Sequence, residues 1–237
     1  MAEGPIIEEI QERPQKEIWT PAGPVVTRLS EYEALDLESR ATVAVGDSTA
    51  LGLWGFATGT WMAGTVIGGA FPPSASISLI AVLLVFAGVG QFIAGLIAFN
   101  RANTLAGTAF CCFGAFNVTV AITFLFEAQG IVPGTGAPQV LLGFLFESFA
   151  FIAIVLTVAA LSVNWGLVVV LATLAAGYLL SGIPYLAQHS AGGYAIVGNI
   201  GGWFLVASAF FAYYVGSAMV VNSSRGREVL PLGGRQG

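Results

Sequence analysis

After Asp47 the sequence runs in apolar blocks of about 20 residues, separated by short turn-forming segments. A helix of that length crosses the roughly 30 Å hydrocarbon core of a bilayer. With 56% hydrophobic and 9% charged residues, the composition excludes a water-soluble globule. The sequence therefore predicts an all-α polytopic membrane protein with six transmembrane helices. The six blocks are Ala50–Ala70, Ile77–Phe99, Thr104–Phe126, Pro138–Leu161, Trp165–Leu186 and Tyr194–Val221.

Charge divides the chain into three parts. Residues 1–46 are rich in Glu and Pro and are predicted to form a polar cytoplasmic tail, in which Ser30 can cap a short amphipathic helix within Ser30–Arg40. Residues 47–222 are the predicted six-helix transmembrane domain, and residues 223–237 are a cytoplasmic C-terminal tail.

The basic residues predict the orientation. Six crossings place both termini and the second and fourth connections on one side of the membrane, and all eight basic residues then fall on that side. Because basic residues are retained in the cytoplasm, both termini are predicted to be cytoplasmic in a plasma-membrane protein. The residues are Arg13, Lys16, Arg28, Arg40, Arg101, Arg225, Arg227 and Arg235.

Chemistry-bearing residues are scarce in the apolar body. A retinal protein needs a lysine in a late helix, but the single lysine is Lys16. A haem held by two histidines is excluded because His189 is alone, and an intramembrane aspartyl protease is excluded because no Asp follows Asp47. We therefore predict no enzyme activity, no catalytic residue, no metal and no cofactor. The net charge of -5 comes mostly from the N-terminal tail, which dismisses nucleic acid as a partner.

Three polar side chains inside the predicted helices are candidates for a functional role. Glu147 lies near the middle of the fourth block, where a carboxylate facing lipid is costly. It is either a proton-handling site in a pathway or a carboxyl that ties helices together. Gln91 and Asn117 can offer amide donors to a solute or form hydrogen bonds between helices. The pattern leaves these alternatives open.

Glycines four residues apart line one face of a helix in three places. Such spacing lets two helix backbones approach closely, so we expect tight helix packing there and consider subunit contacts as a second use. The pairs are Gly55 and Gly59, Gly64 and Gly68, and Gly198 and Gly202.

Several short strings occur in order between Asp47 and Gly233. They are Leu51-Gly52-Leu53 with Gly55-Phe56, Gly90-Gln91 with Ala94-Gly95, Asn103 to Phe110 continuing to Gly114-Ala115-Phe116, Gly202-Trp203, and Leu230-Pro231-Leu232-Gly233. In this order they resemble the acetate uptake transporter family, whose bacterial members are called succinate-acetate permeases. The resemblance implies six helices, usually a homo-hexamer with a separate pathway in each subunit, and movement of acetate, related short monocarboxylates and sometimes succinate.

The resemblance also implies which residues line the pathway. Phe56, Phe113 and Leu174 match positions that pinch it, and Gln91 lies on a motif position beside it. An apolar constriction disfavours hydrated ions because it dewets the pore. Two positions depart from the family pattern: Phe113 stands where Tyr is usual, and Asp47-Ser48-Thr49-Ala50 stands where Asn-Pro-Ala-Pro is usual.

Three functions follow as hypotheses. The first is passive or proton-coupled passage of a small carboxylate, with Asp47 at the inner mouth, Gln91 and Asn117 as polar contacts and Glu147 as a candidate proton site. The second is a channel for uncharged solutes such as urea, amides or ammonia, which the altered first motif and the missing tyrosine hydroxyl favour. The third is a non-transporting membrane assembly whose bundle is packed shut.

Overall fold

The computed structural model describes the backbone of residues 15–20 and 23–28, and residues 46–188 and 192–234 in full. The chain divides into two compact units, Met1–Gly46 and Asp47–Gly237. The amphipathic helix expected within Ser30–Arg40 lies outside the described residues, and so does His189.

The first unit contains a β-hairpin that the sequence analysis did not predict. Strand β1 (Gln15–Thr20) pairs antiparallel with strand β2 (Gly23–Arg28). Both segments contain residue types that favour strands, which are β-branched and aromatic residues. They are Ile18 and Trp19 in β1 and Val25 and Val26 in β2. The strand propensity of these two short segments was not recognised, because the tail as a whole is rich in Glu and Pro.

Six helices make up the described part of the second unit, which confirms the predicted all-α membrane fold. They are α1 (Thr49–Ile67), α2 (Pro73–Asn100), α3 (Thr104–Ala128), α4 (Ala137–Ala160), α5 (Trp165–Ala187) and α6 (Gly193–Arg225). Five of the described helices, α2 to α6, are long and apolar enough to cross a membrane. Helix α1 has 19 residues, about 28 Å at 1.5 Å per residue, and is less apolar because four glycines and four threonines take the place of larger side chains.

Helix α2 changes its winding along its length. It begins as a 3-10 helix at Pro73–Leu79, continues as α-helix at Ile80–Leu84, widens to a π-helical turn at Val85–Gly90, and ends as α-helix at Gln91–Asn100. In the π-helical turn the Gln91 N–H bonds to the Phe86 carbonyl, five residues back. Such turns occur frequently at functional sites because they rotate the residues that follow them.

Glycines allow α1 to pack closely against both α2 and α6. A Cβ added at Gly55 would lie 2.9 Å from the Phe86 carbonyl oxygen of α2, and one added at Gly64 would lie 2.8 Å from the Gly202 carbonyl oxygen of α6. Backbone atoms occupy the space that side chains would need, so these glycines pack helices of one chain together.

We expect Gly202→Ala to destabilise the bundle. An added Cβ would collide with the Gly68 backbone nitrogen and lie 2.7 Å from the Gly64 carbonyl oxygen, and backbone atoms cannot move aside cheaply. Overpacking of this kind costs about 1–3 kcal/mol. Thermal unfolding in detergent measures the effect, and Gly193→Ala, where a Cβ meets nothing within 4 Å, is the matched control. Equal melting temperatures for the two variants would contradict the packing described.

The C-terminal segment folds back onto the first turn of α5. The Trp165 and Gly166 N–H groups donate to the Gly233 and Leu232 carbonyls at 3.2 and 3.1 Å, and the Asn164 side chain accepts from the Leu167 N–H at 2.8 Å. These bonds satisfy amide groups that a helix start leaves without partners. The Leu230 to Gly233 motif therefore fixes the position of α5 in the bundle.

Candidate functional site

A wide cavity of about 730 Å³ opens between the helices at one end of the bundle. All six described helices contribute to its lining, together with residues from the α1–α2, α3–α4 and α5–α6 connections. These three connections therefore share one end of the bundle, as six alternating crossings require. The lining includes Thr60, Phe116, Asn117, Glu127, Gln139 and Tyr178.

A small cavity of about 100 Å³ lies toward the opposite end. It is lined by Thr49 at the start of α1, by Asn103 of the α2–α3 connection and by Asn164 of the α4–α5 connection, and deeper in the bundle by Phe56, Gln91, Phe113 and Leu174. We call this end the basic end, because Arg101 follows α2 there and Arg225 and Arg227 lie at the end of α6. The four deeper residues are among those that the sequence analysis placed on the pathway.

A thin layer of side chains separates the two cavities. On α1, Phe56 lines the small cavity and Thr60 lines the wide one; on α3 the same holds for Phe113 and Asn117, and on α5 for Leu174 and Tyr178. Each pair is four residues apart, about 6 Å along a helix. The partition is therefore about one helical turn thick. We call Phe56, Gln91, Phe113, Asn117 and Leu174 the barrier layer.

Apolar side chains close the barrier layer. Phe56 and Phe113 are 3% and 2% exposed, and Leu174 is fully buried. The Phe56 and Phe113 ring centroids lie 6.0 Å apart, and Phe113 continues to Tyr178 at 6.2 Å. Aromatic pairs at this separation attract one another, so the rings that close the barrier layer form a packed cluster.

Gln91 and Asn117 form the polar part of the barrier layer. The Asn117 side chain donates from Nδ2 to the Gln91 Oε1 at 3.2 Å and to the Ala87 carbonyl at 3.0 Å. Gln91 lines the small cavity and Asn117 the wide one, so this hydrogen bond spans the partition. The two amides are thus both a link between α2 and α3 and part of the cavity walls.

The remaining donor of Gln91 has no partner. Gln91 is fully buried, its Oε1 is taken by Asn117, and its Nε2 has no hydrogen-bond partner among the described residues. A buried amide without a partner costs free energy, about 1–3 kcal/mol. A solute acceptor in the small cavity would remove that cost.

The π-helical turn explains how Gln91 and Asn117 meet. Because the Gln91 N–H bonds to Phe86, it does not take the Ala87 carbonyl as it would in a regular α-helix. Asn117 donates to that carbonyl and to the Gln91 side chain that follows the turn. The widened turn therefore sets the rotation of Gln91 relative to α3.

Asp47 is exposed and does not line either cavity. Its Oδ1 accepts from the Thr49 N–H at 2.9 Å and from the Thr49 hydroxyl at 2.6 Å. Thr49 in turn lines the small cavity. Asp47 thus fixes the start of α1 beside the small cavity, and its predicted place at the mouth stays a prediction.

Glu147 is not brought together with the other predicted residues. It lines neither cavity, and its Oε1 is buried against Gly182 of α5 with no hydrogen-bond partner among the described residues. A Cβ added at Gly182 would collide with this oxygen. Glu147 therefore sits between α4 and α5, and its role as a proton site stays a prediction.

The sequence analysis missed Tyr178, which is 4% exposed and lines the wide cavity. Its ring centroid lies 5.0 Å from that of Phe116 and 5.7 Å from that of Phe146, so it joins the aromatic floor of this cavity. A signal was available, because Tyr178 follows Leu174 by four residues and so continues the same helix face. Thr60 follows Phe56 in the same way.

Comparison with known proteins extends this description. The model of the GPR1/FUN34/yaaH family matches residues 34–231. The succinate-acetate/proton symporter SatP of Escherichia coli K12 is 30% identical over 160 residues, which span 65% of this chain and 79% of that protein. An uncharacterized protein of Methanothermobacter thermautotrophicus is 26% identical over 199 residues, 80% of this chain and 94% of that protein.

The fold is also similar to a solved structure. The structure of the bacterial acetate channel SatP superposes with a TM-score of 0.70 at 27% identity, covering 79% of this chain and 99% of that one. The similarity therefore includes almost the whole of that channel. Sequence and fold both relate the six-helix unit to proteins named as a symporter and as a channel.

Proposed function

Because the chain belongs to the GPR1/FUN34/yaaH family, we propose that it is a membrane permease or channel for acetate and related short monocarboxylates. The names of the similar proteins, a succinate-acetate/proton symporter and an acetate channel, support transport and not catalysis. The observation that carries the proposal is that Gln91, whose buried Nε2 has no partner among the described residues, lines the deeper part of the small cavity beside Phe56, Phe113 and Leu174.

The size and walls of the small cavity suit a short carboxylic acid. Its volume of about 100 Å³ is well below the roughly 300–1,000 Å³ of pockets that hold drug-sized ligands. Gln91 Nε2 would donate to one carboxyl oxygen, while Phe56, Phe113 and Leu174 surround the methyl group. In this deeper part of the cavity, one amide donor among three apolar side chains thus matches a solute with one polar and one apolar end.

We propose that the solute crosses the barrier layer as the neutral acid. Among the described residues, none that lines the small cavity carries a charge. Burying a carboxylate without a counter-ion costs far more than burying a carboxylic acid. Flux of the protonated form carries a proton with each molecule, so proton coupling does not require a proton site on the protein, and Glu147 is an additional candidate.

Uncharged solutes are the second candidate function, because the same uncharged lining also accommodates urea or an amide. Uptake of labelled acetate and labelled urea by proteoliposomes separates the two. We expect saturable acetate uptake above that of protein-free liposomes and no added urea uptake. Urea uptake alone would favour the second function, and no uptake of either would favour an assembly packed shut.

We propose a plasma-membrane location with both termini cytoplasmic. Arg101, Arg225 and Arg227 at the basic end support this orientation through the positive-inside rule. The small cavity then faces the cytoplasm and the wide cavity faces outward. Protease added to intact cells should leave tags at both termini uncut, and cleavage of either tag would reverse the assignment.

We also propose that the chain forms a homo-hexamer with one pathway per subunit, as the family resemblance implies. Large apolar side chains cover the outer face of α4, with Leu141, Phe144 and Phe151 at 68%, 58% and 67% exposed. Such a face can pack against lipid or against a second copy. Native mass spectrometry of the detergent-solubilised protein tests this, and a monomer in several mild detergents would contradict it.

A further inference from the structure

The walls of the two cavities contain one carboxyl group. Among the described residues that line either cavity, Glu127 is the one acidic side chain, and none is basic. It lies in the last turn of α3, beside the mouth of the wide cavity, and is partly buried. A solute that enters through the wide cavity therefore passes a negative charge before it reaches the barrier layer.

The surroundings of Glu127 hold the carboxyl in place. Gln139, in the first turn of α4, donates from Nε2 to Glu127 Oε1 at 2.6 Å. The amide is a neutral donor, so it orients the carboxylate without neutralising it. Tyr185 of α5 lines the same cavity and is likewise uncharged as a neutral phenol. No described basic side chain lines this cavity to balance the charge.

We propose that Glu127 determines specificity by charge: it disfavours dianions more than monoanions at the wide cavity. This inference rests on the proposed function. The electrostatic penalty on a solute is proportional to its charge, so the factor that excludes a dianion is the square of the factor that excludes a monoanion. A narrow cleft with low-dielectric walls strengthens such a field. Monocarboxylates therefore reach the barrier layer in preference to dicarboxylates.

Competition against acetate uptake tests the proposal, because a competitor needs only to occupy the wide cavity. Propionate and malonate have three carbons each and differ in charge. If Glu127→Gln lowers the inhibition constant of propionate about threefold, it should lower the inhibition constant of malonate about tenfold. Uptake of labelled acetate is measured in right-side-out and in inside-out vesicles, and we expect the effect from one side only, whichever orientation the protein has.

Two further variants separate charge from structure. Gln139→Leu removes the hydrogen bond but keeps the carboxylate, so it should leave the malonate-to-propionate ratio as in the wild type. Glu228→Gln removes a carboxylate that lines neither cavity and should leave the ratio unchanged as well.

High salt should weaken the discrimination between malonate and propionate in the wild type, because ions screen the charge of Glu127. It should have no effect on this discrimination in Glu127→Gln.

The possible results distinguish this inference from the proposed function. Acetate uptake by Glu127→Gln with an unchanged malonate-to-propionate ratio overturns the role of Glu127 and leaves the proposed function standing. An equal change of the malonate-to-propionate ratio in Gln139→Leu also overturns the role of Glu127. The change would then depend on the hydrogen bond from Gln139 and not on the charge of the carboxylate. Absence of acetate uptake by the wild type overturns the proposed function and this inference together.

Discussion

Gln91→Leu is expected to lower acetate uptake severalfold, up to about tenfold. The leucine fills similar space but removes the Nε2 donor, which has no partner among the described residues. The proposed solute is the neutral acid, and a hydrogen bond between neutral groups contributes about 0.5–1.5 kcal/mol. Each 1.4 kcal/mol corresponds to about a factor of ten. Asn117 keeps its bond to the Ala87 carbonyl at 3.0 Å, so the link between α2 and α3 is only partly lost. Initial rates of labelled acetate uptake by proteoliposomes measure the effect.

Gln91→Glu removes the amide N–H donor but keeps a side chain of nearly the same size and shape. The carboxylate still accepts from Asn117 but has no N–H to offer, and it adds a negative charge to the small cavity. We therefore expect uptake to fall at least as far as in Gln91→Leu. Gln129→Leu, at an exposed position just after α3, is the matched control and should transport normally. Full uptake by both Gln91→Leu and Gln91→Glu would show that the Gln91 donor does not contact the solute.

Phe113→Ala is expected to open the barrier layer. Its ring packs against Phe56, Phe149 and Tyr178, with centroids 6.0, 6.0 and 6.2 Å away. Removing the ring joins the two cavities, because the layer is about one helical turn thick. A barrier lowered by about 1.4 kcal/mol raises a rate about tenfold, and we expect at least this increase for a bulky acid such as benzoate.

The controls for Phe113→Ala address its stability. Truncating a buried Phe costs about 3–5 kcal/mol in protein cores, so Phe113→Leu, which keeps most of the volume, is measured beside it and should give an intermediate increase. Phe144→Ala makes the same substitution at a side chain that is 58% exposed and should leave benzoate excluded. If folded Phe113→Ala excludes benzoate as the wild type does, Phe113 does not close the pathway.

The helices were predictable because the length of an apolar block is a local property of the sequence. The predicted third block, Thr104–Phe126, differs from α3 by two residues at one end, and the fifth differs from α5 by one. The second block was predicted to begin at Ile77, but α2 begins at Pro73, because its first turns are 3-10 helix. Turn signals do not distinguish these two windings.

The π-helical turn of α2 could not be read from the sequence. Residues 85–90 are Val, Phe, Ala, Gly, Val and Gly, which are compatible with any helical winding in a membrane. The turn determines how Gln91 and Asn117 meet, although they are 26 residues apart. Sequence analysis therefore named both amides but left open whether they bind a solute or each other, and the structure has them bonded to each other with one donor left over.

Glu147 illustrates a limit of reasoning from cost. The free-energy cost of a carboxylate in lipid predicts that the Glu147 side chain is shielded from lipid. It does not predict which residues shield it. The space beside Gly182 shelters it between two helices, away from both cavities. Glu127 lies at a helix end, where the same cost is small, so this reasoning does not single it out, although it lines the wide cavity.

The position of a bound carboxylate tests the account most directly. In crystals soaked with bromoacetate at acid pH, which favours the neutral acid and slows alkylation of the free Cys111 and Cys112, the anomalous signal of bromine locates the solute. We predict a bromoacetate molecule in the small cavity, with a carboxyl oxygen about 3 Å from Gln91 Nε2 and the bromine among Phe56, Phe113 and Leu174. Bromine found only on the lipid-facing surface, with the small cavity empty at saturating bromoacetate, would contradict the account.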